Sequence, residues 1–186
     1  YSAELLLVLV TFCWALSFPL LKLVLADQPV FGFLSIRFML ALLVMTPLAW
    51  SALRLLDRRG WWYGLVLGVL LFLAFAFQTV GLSMTSSSNA GFVSGLCVVW
   101  VPLLAGPLCG KPPGVPSMVG VLCAIPGLYL LTWQESAMIS AGDIWVLFSS
   151  LFIALHVIGI DRLAREHSGR ALAWIQIASL AVLSLL

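Results

Sequence analysis

The chain has 186 residues, 63% of them hydrophobic and 9% charged, with nine basic and seven acidic side chains, a net charge of +2 and a mean hydropathy of +1.16. A soluble domain carries about 45–50% apolar and about 25% charged residues. Sixteen charges cannot clothe a water-soluble surface of this length, which excludes a soluble globular fold, a disordered chain and a nucleic-acid binder.

A helix needs about 20 apolar residues to cross a bilayer core. The sequence offers six such runs, at roughly residues 5–25, 30–53, 61–82, 90–108, 116–133 and 144–160, and an unfinished seventh at 171–186. Only helices satisfy every backbone group in lipid over such lengths, because barrel strands would alternate with polar residues. The connections are short, so consecutive helices run antiparallel. These features predict an all-α polytopic transmembrane bundle.

Charge placement predicts the orientation. The second connection carries Arg54, Arg58 and Arg59, the fourth Lys111, and the sixth Arg162, Arg165 and Arg170. The odd connections carry only Lys22. The positive-inside rule therefore puts the even connections and the amino end in the cytoplasm of a cell (bacterial inner) membrane. Trp50, Trp61, Trp62, Trp133, Trp145 and Trp174 fall at water–lipid boundaries, where an amphipathic ring anchors a helix. Trp14 and Trp100 fall near the midpoints of their spans. The four cysteines, Cys13, Cys97, Cys109 and Cys123, show no metal or CxxC spacing and read as small buried hydrophobes.

Sliding the sequence by 139 residues sets Glu4 on Asp143, Ala15–Leu16 on Ala154–Leu155, Ser17 on His156 and Arg37 on Gln176. This offset spans five helices, an odd number, so a second copy enters the membrane upside down. Inverted repeats of that kind recur in secondary transporters. The predicted division is a first five-helix repeat over residues 1–134 and the start of a second over 140–186. Two copies need about 280 residues at this period, so the chain is expected to hold one repeat and about a third of the next. As such it is expected not to transport by itself.

The runs LLLVLVTFCWALSFPLLK, FLSIRFMLALLVMTPL, GLSMTSSSNAGFVSGLCVVWVPLLAGPLCGKPP and GVLCAIPGLYLLT resemble the EamA-type members of the drug/metabolite transporter superfamily. The most specific stretch runs from Ser86 to Pro102. The resemblance implies ten helices in two inverted five-helix repeats, both ends cytoplasmic, and outward movement of small organic solutes. Two positions depart from the family pattern. Trp14–Ala15 replaces a Trp-Gly pair, and Cys109-Gly110-Lys111-Pro112 lacks the acidic residue common after the fourth helix.

Several residues are candidates for chemistry. Arg37 is the costliest residue within the spans, at about +2.5 to +3.5 kcal/mol for a central position and less near an end. It reads either as a snorkelled side chain or as an anion-attracting group in the outer pathway. Ser86, Ser87, Ser88 and Asn89 can cap the fourth helix, whose next face presents Asn89, Phe92, Leu96 and Trp100. Trp14, Ser17, Phe18 and Leu21 form a similar face on the first helix, with Pro19 able to bend it. With Gln78 these suggest an aromatic, weakly polar cavity. His156, the intramembrane histidine, reads as a hydrogen-bonded structural residue or as a proton-responsive group. Gly64/Gly68, Gly91/Gly95, Gly120/Ala124 and Cys123/Gly127 are small-residue pairs that predict a tight group of the third to fifth spans.

The expected substrate-binding set is thus Trp14, Ser17, Phe18, Arg37, Gln78, Asn89, Phe92, Trp100 and His156, with no catalytic residue, metal or cofactor. The expected function is export of small metabolites, amino acids or drug-like solutes by alternating access. A non-transporting membrane subunit or receptor is the alternative, with an intramembrane enzyme further behind. The expected partners are a small-molecule solute, the lipid bilayer and a second copy or C-terminal half, and no nucleic acid.

Overall fold

A computed structural model describes residues 2–110, 113–132 and 140–186. Every described element is helical: α1 (Ser2–Val24), α2 (Val30–Arg54), α3 (Arg58–Met84), α4 (Ser87–Ser94), α5 (Cys97–Cys109), α6 (Val115–Thr132), α7 (Ala141–Leu163) and α8 (Gly169–Leu183). Five stretches are long and apolar enough to cross a membrane: α1, α2, α3, α7, and α4 with α5 taken together. The chain is a multi-pass helical membrane protein.

The sequence reading of the fourth run as one helix is corrected, because it is interrupted at Gly95–Leu96. Trp133 and Lys111 lie outside the described residues.

Local chemistry sets several of the ends. The Asp57 side chain accepts from Gly60 N–H at 2.9 Å to start α3, and Ser86 Oγ accepts from Asn89 N–H at 3.1 Å to start α4. Ser140 and Asp143 form a reciprocal capping box on α7, with bonds of 2.8 and 3.1 Å. Gly110, at φ 66°, closes α5 in the left-handed conformation that glycine tolerates. Two cations cover carbonyls left open at helix C-termini. Lys22 Nζ donates to Leu82 and Ser83 C=O (2.8 and 3.0 Å), tying α1 to α3, and Arg162 donates to Leu108 C=O (2.6 Å), tying α7 to α5.

The packing does not follow chain order. α3 lies between α7, which runs antiparallel to it, and α8, which runs parallel, while α2 rests mainly on α8. Small residues on α3 make this possible. A Cβ added to Gly64 would fall 2.9 Å from Ile175, and one on Gly68 2.6 Å from Ser179, both on α8. A Cβ on Gly81 would fall 2.7 Å from Gly142 C=O, and one on Gly142 2.6 Å from Gly81 C=O. Without a hydrophobic drive between helices in lipid, such close approach is what holds spans together.

This corrects the expected grouping of the third to fifth spans. The glycine faces of α3 receive α7 and α8, and Gly120 and Gly127 on α6 have no neighbour within 4 Å of an added Cβ. The expectation of buried cysteines is corrected too, since Cys13 and Cys123 are exposed and Cys97 and Cys109 half-buried.

Two clusters form the core. One joins Phe18 and Leu21 of α1 to Leu82, Ala90 and Val146, and the other joins Leu34 and Phe38 of α2 to Leu180 and Ala181 of α8. Boundary tryptophans reinforce the second region. Trp174 Nε1 donates to Thr46 Oγ1 at 2.9 Å and its ring meets Trp61 edge-on at 6.4 Å.

Gly81→Ala is expected to lower the stability of the full protein by about 1–3 kcal/mol, the usual cost of overpacking, whereas Gly127→Ala leaves it unchanged or slightly raised. Thermal unfolding in detergent, compared across both variants, checks this.

Candidate solute groove

Between α1 and the α4–α5 span lies a cavity of about 550 Å³. Its α1 wall is made by Trp14 and Phe18, four residues apart on one face, with ring centroids 6.3 Å apart and planes at 47°. Phe18 is anchored in the first core cluster at 7% exposure, while Trp14, at 40%, stands open to the cavity. The facing wall is Gly91, Ser94 and Gly95, reached from an upper rim of Ser87 and Ser88. A Cβ on Gly91 would lie 4.0 Å from the Phe18 ring, an ordinary contact, so a side chain larger than alanine there would reach across to the α1 wall. No residue lining the groove carries a formal charge. The site can therefore hold a flat, uncharged body and offer it hydroxyl and backbone contacts.

Of the nine residues expected to bind solute, Trp14 and Phe18 line this groove. The others are placed elsewhere. Ser17 turns back and donates to Trp14 C=O at 2.6 Å. Asn89 gives its backbone N–H to the α4 cap, and Phe92, although half-buried on α4, is not on the groove wall. Arg37 holds its guanidinium over Phe38 and Phe75, at 5.6 and 5.5 Å from their centroids, and so bridges α2 to α3 as a cation–π contact. Trp100 Nε1 donates to Ser150 Oγ at 3.1 Å, docking α5 on α7. Gln78 is buried on α3, with its Nε2 lacking a hydrogen-bond partner among the described residues, as does the buried Ser149 Oγ on α7.

His156 Nε2 lies 2.7 Å from Gln176 Oε1, with both side chains buried, and with its proton on Nε2 the imidazole donates to the amide oxygen. This pair unites α7 with α8 across the flank of α3. Residues missed from the sequence are Ser94, Gly95 and Cys97 at the helix interruption. The signal for them is Gly91 and Gly95 flanking Ser94, with the helix-disfavouring Pro102 and Pro107 about two and about three turns further on.

A second cavity, of about 510 Å³, sits at the arginine-rich end between the α2–α3 and α7–α8 connections and is lined by Asp57, Glu166, His167 and Arg170 among others. His167 Nε2 meets Asp57 Oδ1 at 3.0 Å and the imidazole packs edge-on to Tyr63 at 5.5 Å. The Gly60 backbone N–H, against an opposing desolvation and aided by the His167 contact, holds the Asp57 carboxyl below the usual range.

Two expectations follow. His156→Phe leaves the Gln176 amide buried and unpaired, and should lower stability by about 1–3 kcal/mol, with most of the loss recovered by adding Gln176→Leu; melting of the single and double variants in detergent decides it. For Asp57, a carboxyl held low in the folded state adds stability above its unfolded value of about 3.9, and that stability is lost as pH falls through the folded value. The melting-temperature difference between the parent and Asp57→Asn should therefore persist at pH 5 and shrink progressively below about pH 3.9.

Residues 1–133 match the EamA-like transporter family. An uncharacterized transporter of Archaeoglobus fulgidus is 32% identical over 184 residues, which cover 98% of this chain and 56% of that relative. The chain thus spans about half the length of the curated relative it matches. No solved structure matches. The family and the relative are described as transporters, which sets the chain among transporters and not among enzymes. With a family match over most of its residues, this chain belongs to the EamA-like transporter family.

Proposed function

We propose that the full protein exports small organic solutes (metabolites, amino acids or drug-like compounds) across the cell membrane by alternating access, with the α1/α4–α5 groove as part of the pathway. The observation that carries this reading is the groove itself: a charge-free, ring-walled cavity between membrane-spanning helices, with Gly91 on its wall. Ligand sites of this kind are concave, mostly apolar and furnished with a few polar groups.

The packing supports the mechanism. α7 packs on α4 and α5, which make one wall of the groove, so a movement of α7 that carries the α4–α5 span away from α1 changes the width of the groove. In this reading residues 1–134 form one five-helix repeat and residues 140–186 begin an inverted second. The His156–Gln176 contact then sits at positions related by the 139-residue offset to Ser17 and Arg37. The amino end is cytoplasmic, as the placement of Arg54, Arg58, Arg59, Arg162, Arg165 and Arg170 at one end of the bundle argues.

The test is protein-dependent solute movement by the full-length protein in sealed vesicles, using a labelled panel of neutral, zwitterionic and anionic solutes. At least one solute should move, and Gly91→Leu, which fills the groove from its α4 wall, should cut that rate at least tenfold without lowering the melting temperature by more than a few degrees. Movement of none of the panel, with a folded protein, would instead favour a membrane subunit that binds a protein partner.

A further inference from the structure

The seam between α3 and α7 encloses two polar side chains that neither helix satisfies. Gln78 of α3 is 5% exposed and Ser149 of α7 is fully enclosed. Neither Gln78 Nε2 nor Ser149 Oγ has a hydrogen-bond partner among the described residues. Their neighbours in the chain show what is ordinary here. Thr79 Oγ1 donates to Phe75 C=O and Ser150 Oγ to Leu147 C=O, each at 2.7 Å and within its own helix. By the rise of 1.5 Å per residue, Gln78 lies about 9 Å from the end of α3 and Ser149 about 12 Å from the start of α7. Lipid supplies no hydrogen bonds at such depth, so a group left unpaired there carries its desolvation cost in full.

The register of the two helices sets these residues opposite each other. A Cβ added to Gly81 would fall 2.6 Å from Val146, and one added to Gly159 2.7 Å from Leu67, so the antiparallel contact is fixed toward both ends. Gln78 is three residues before Gly81 and Ser149 three residues after Val146. In antiparallel helices both steps lead the same way along the seam, and a step of three keeps each residue on the contacting face. Phe77 and Phe148, the residues just before them, mark the same level, with ring centroids 5.9 Å apart. The Gln78 amide nitrogen and the Ser149 hydroxyl are nonetheless not bonded to each other.

We propose that Gln78 and Ser149 hold one ordered water molecule between α3 and α7. A buried water typically makes about three hydrogen bonds to polar groups that otherwise lack partners. The Gln78 amide donates to the water oxygen, and the Ser149 hydroxyl oxygen accepts one of the water protons. A bridge of this kind joins groups that stand too far apart for a direct bond, at nearly the same enthalpy. The amide N–H, positive at its hydrogen, turns a metal cation away. Among the described residues, no group of three His, Cys, Asp or Glu side chains is placed to hold one. A seam closed by the steric fit of glycine thus gains a polar joint made through solvent. This inference stands apart from the groove and from the transporter reading.

Thermal unfolding of the full-length protein in detergent tests the sign of the effect. With the water in place, Ser149→Ala and Gln78→Met each remove one of its holders, and each should lower the melting temperature by about 2–4 °C. The double variant should lose less than the sum of the two, because the water leaves with both groups. Without the water, each substitution removes a buried, unpaired polar group, so each raises the melting temperature or leaves it unchanged. Replacing sodium and potassium by choline should have no effect.

A high-resolution structure of the full-length protein gives a direct reading. A density peak is expected about 2.7–3.2 Å from both the Gln78 amide and Ser149 Oγ. A single variant that melts at or above the parent temperature overturns the assignment, as do losses that add in the double variant. A direct Gln78–Ser149 contact in place of the peak overturns it equally. Destabilisation by choline would assign the peak to a cation and overturn it as well.

Discussion

The close approach of α3 to α7 and α8 is the constraint on which the rest of the bundle depends. Within lipid the apolar side chains gain nothing from leaving water, so helices associate by surface fit and by internal hydrogen bonds. Gly64 and Gly68 admit α8, while Gly81 and Gly142 bring two backbones together at the opposite end of α3. With α3 seated this way, both core clusters can form, one through Leu82 toward α1, α4 and α7, and one beside Phe75 toward α2 and α8. The aromatic ladder of Phe77 on Trp145, Phe148 and Phe152, with ring centroids 5.3, 5.9 and 5.4 Å away, runs along the same α3–α7 seam.

Polar groups at depth are treated in two ways. Several are tied to protein partners, as with His156 to Gln176, Trp100 to Ser150 and Arg37 to two rings. Each of these contacts joins helices, and hydrogen bonds of this kind average about 0.6 kcal/mol inside a membrane. The groove is the other case. There the polar side chains are the hydroxyls of Thr11, Ser87, Ser88 and Ser94, set among small and aromatic residues.

The readings from sequence succeed and fail along that same division. The approximate limits of the apolar helices follow from hydropathy, because the thickness of the bilayer imposes a length on any apolar helix, although five stretches rather than six reach membrane length among the described residues. The cap of the fourth span is legible among Ser86, Ser87, Ser88 and Asn89, since capping is chemistry between residues three apart, whereas the caps at Asp57 and Ser140 come from the structure. Of the nine candidate site residues, Trp14 and Phe18 lie on the groove. Trp14 and Phe18 share a face of one helix, and a helix face is a local property. Trp100 and His156 also sit at mid-span, but whether a mid-span polar residue meets a cavity or a partner depends on which helix lies opposite. For Trp100 that helix is α7, fifty residues further along the chain, and for His156 it is α8.

What the sequence determined alone is that this chain lives in a membrane, crosses it repeatedly as helices and carries its basic residues at alternate connections. Composition, run length and three- and four-residue spacings suffice for that, because they act within a single helix and against a uniform solvent. Tertiary structure decided which small-residue faces meet, that α8 rather than α2 lies along Gly64 and Gly68, and that the fourth span breaks at Gly95 beside Trp14 and Phe18. In lipid nearly every helix face is apolar enough to be exposed, so hydrophobicity cannot choose the neighbour; steric fit and hydrogen bonding between distant parts of the chain make that choice.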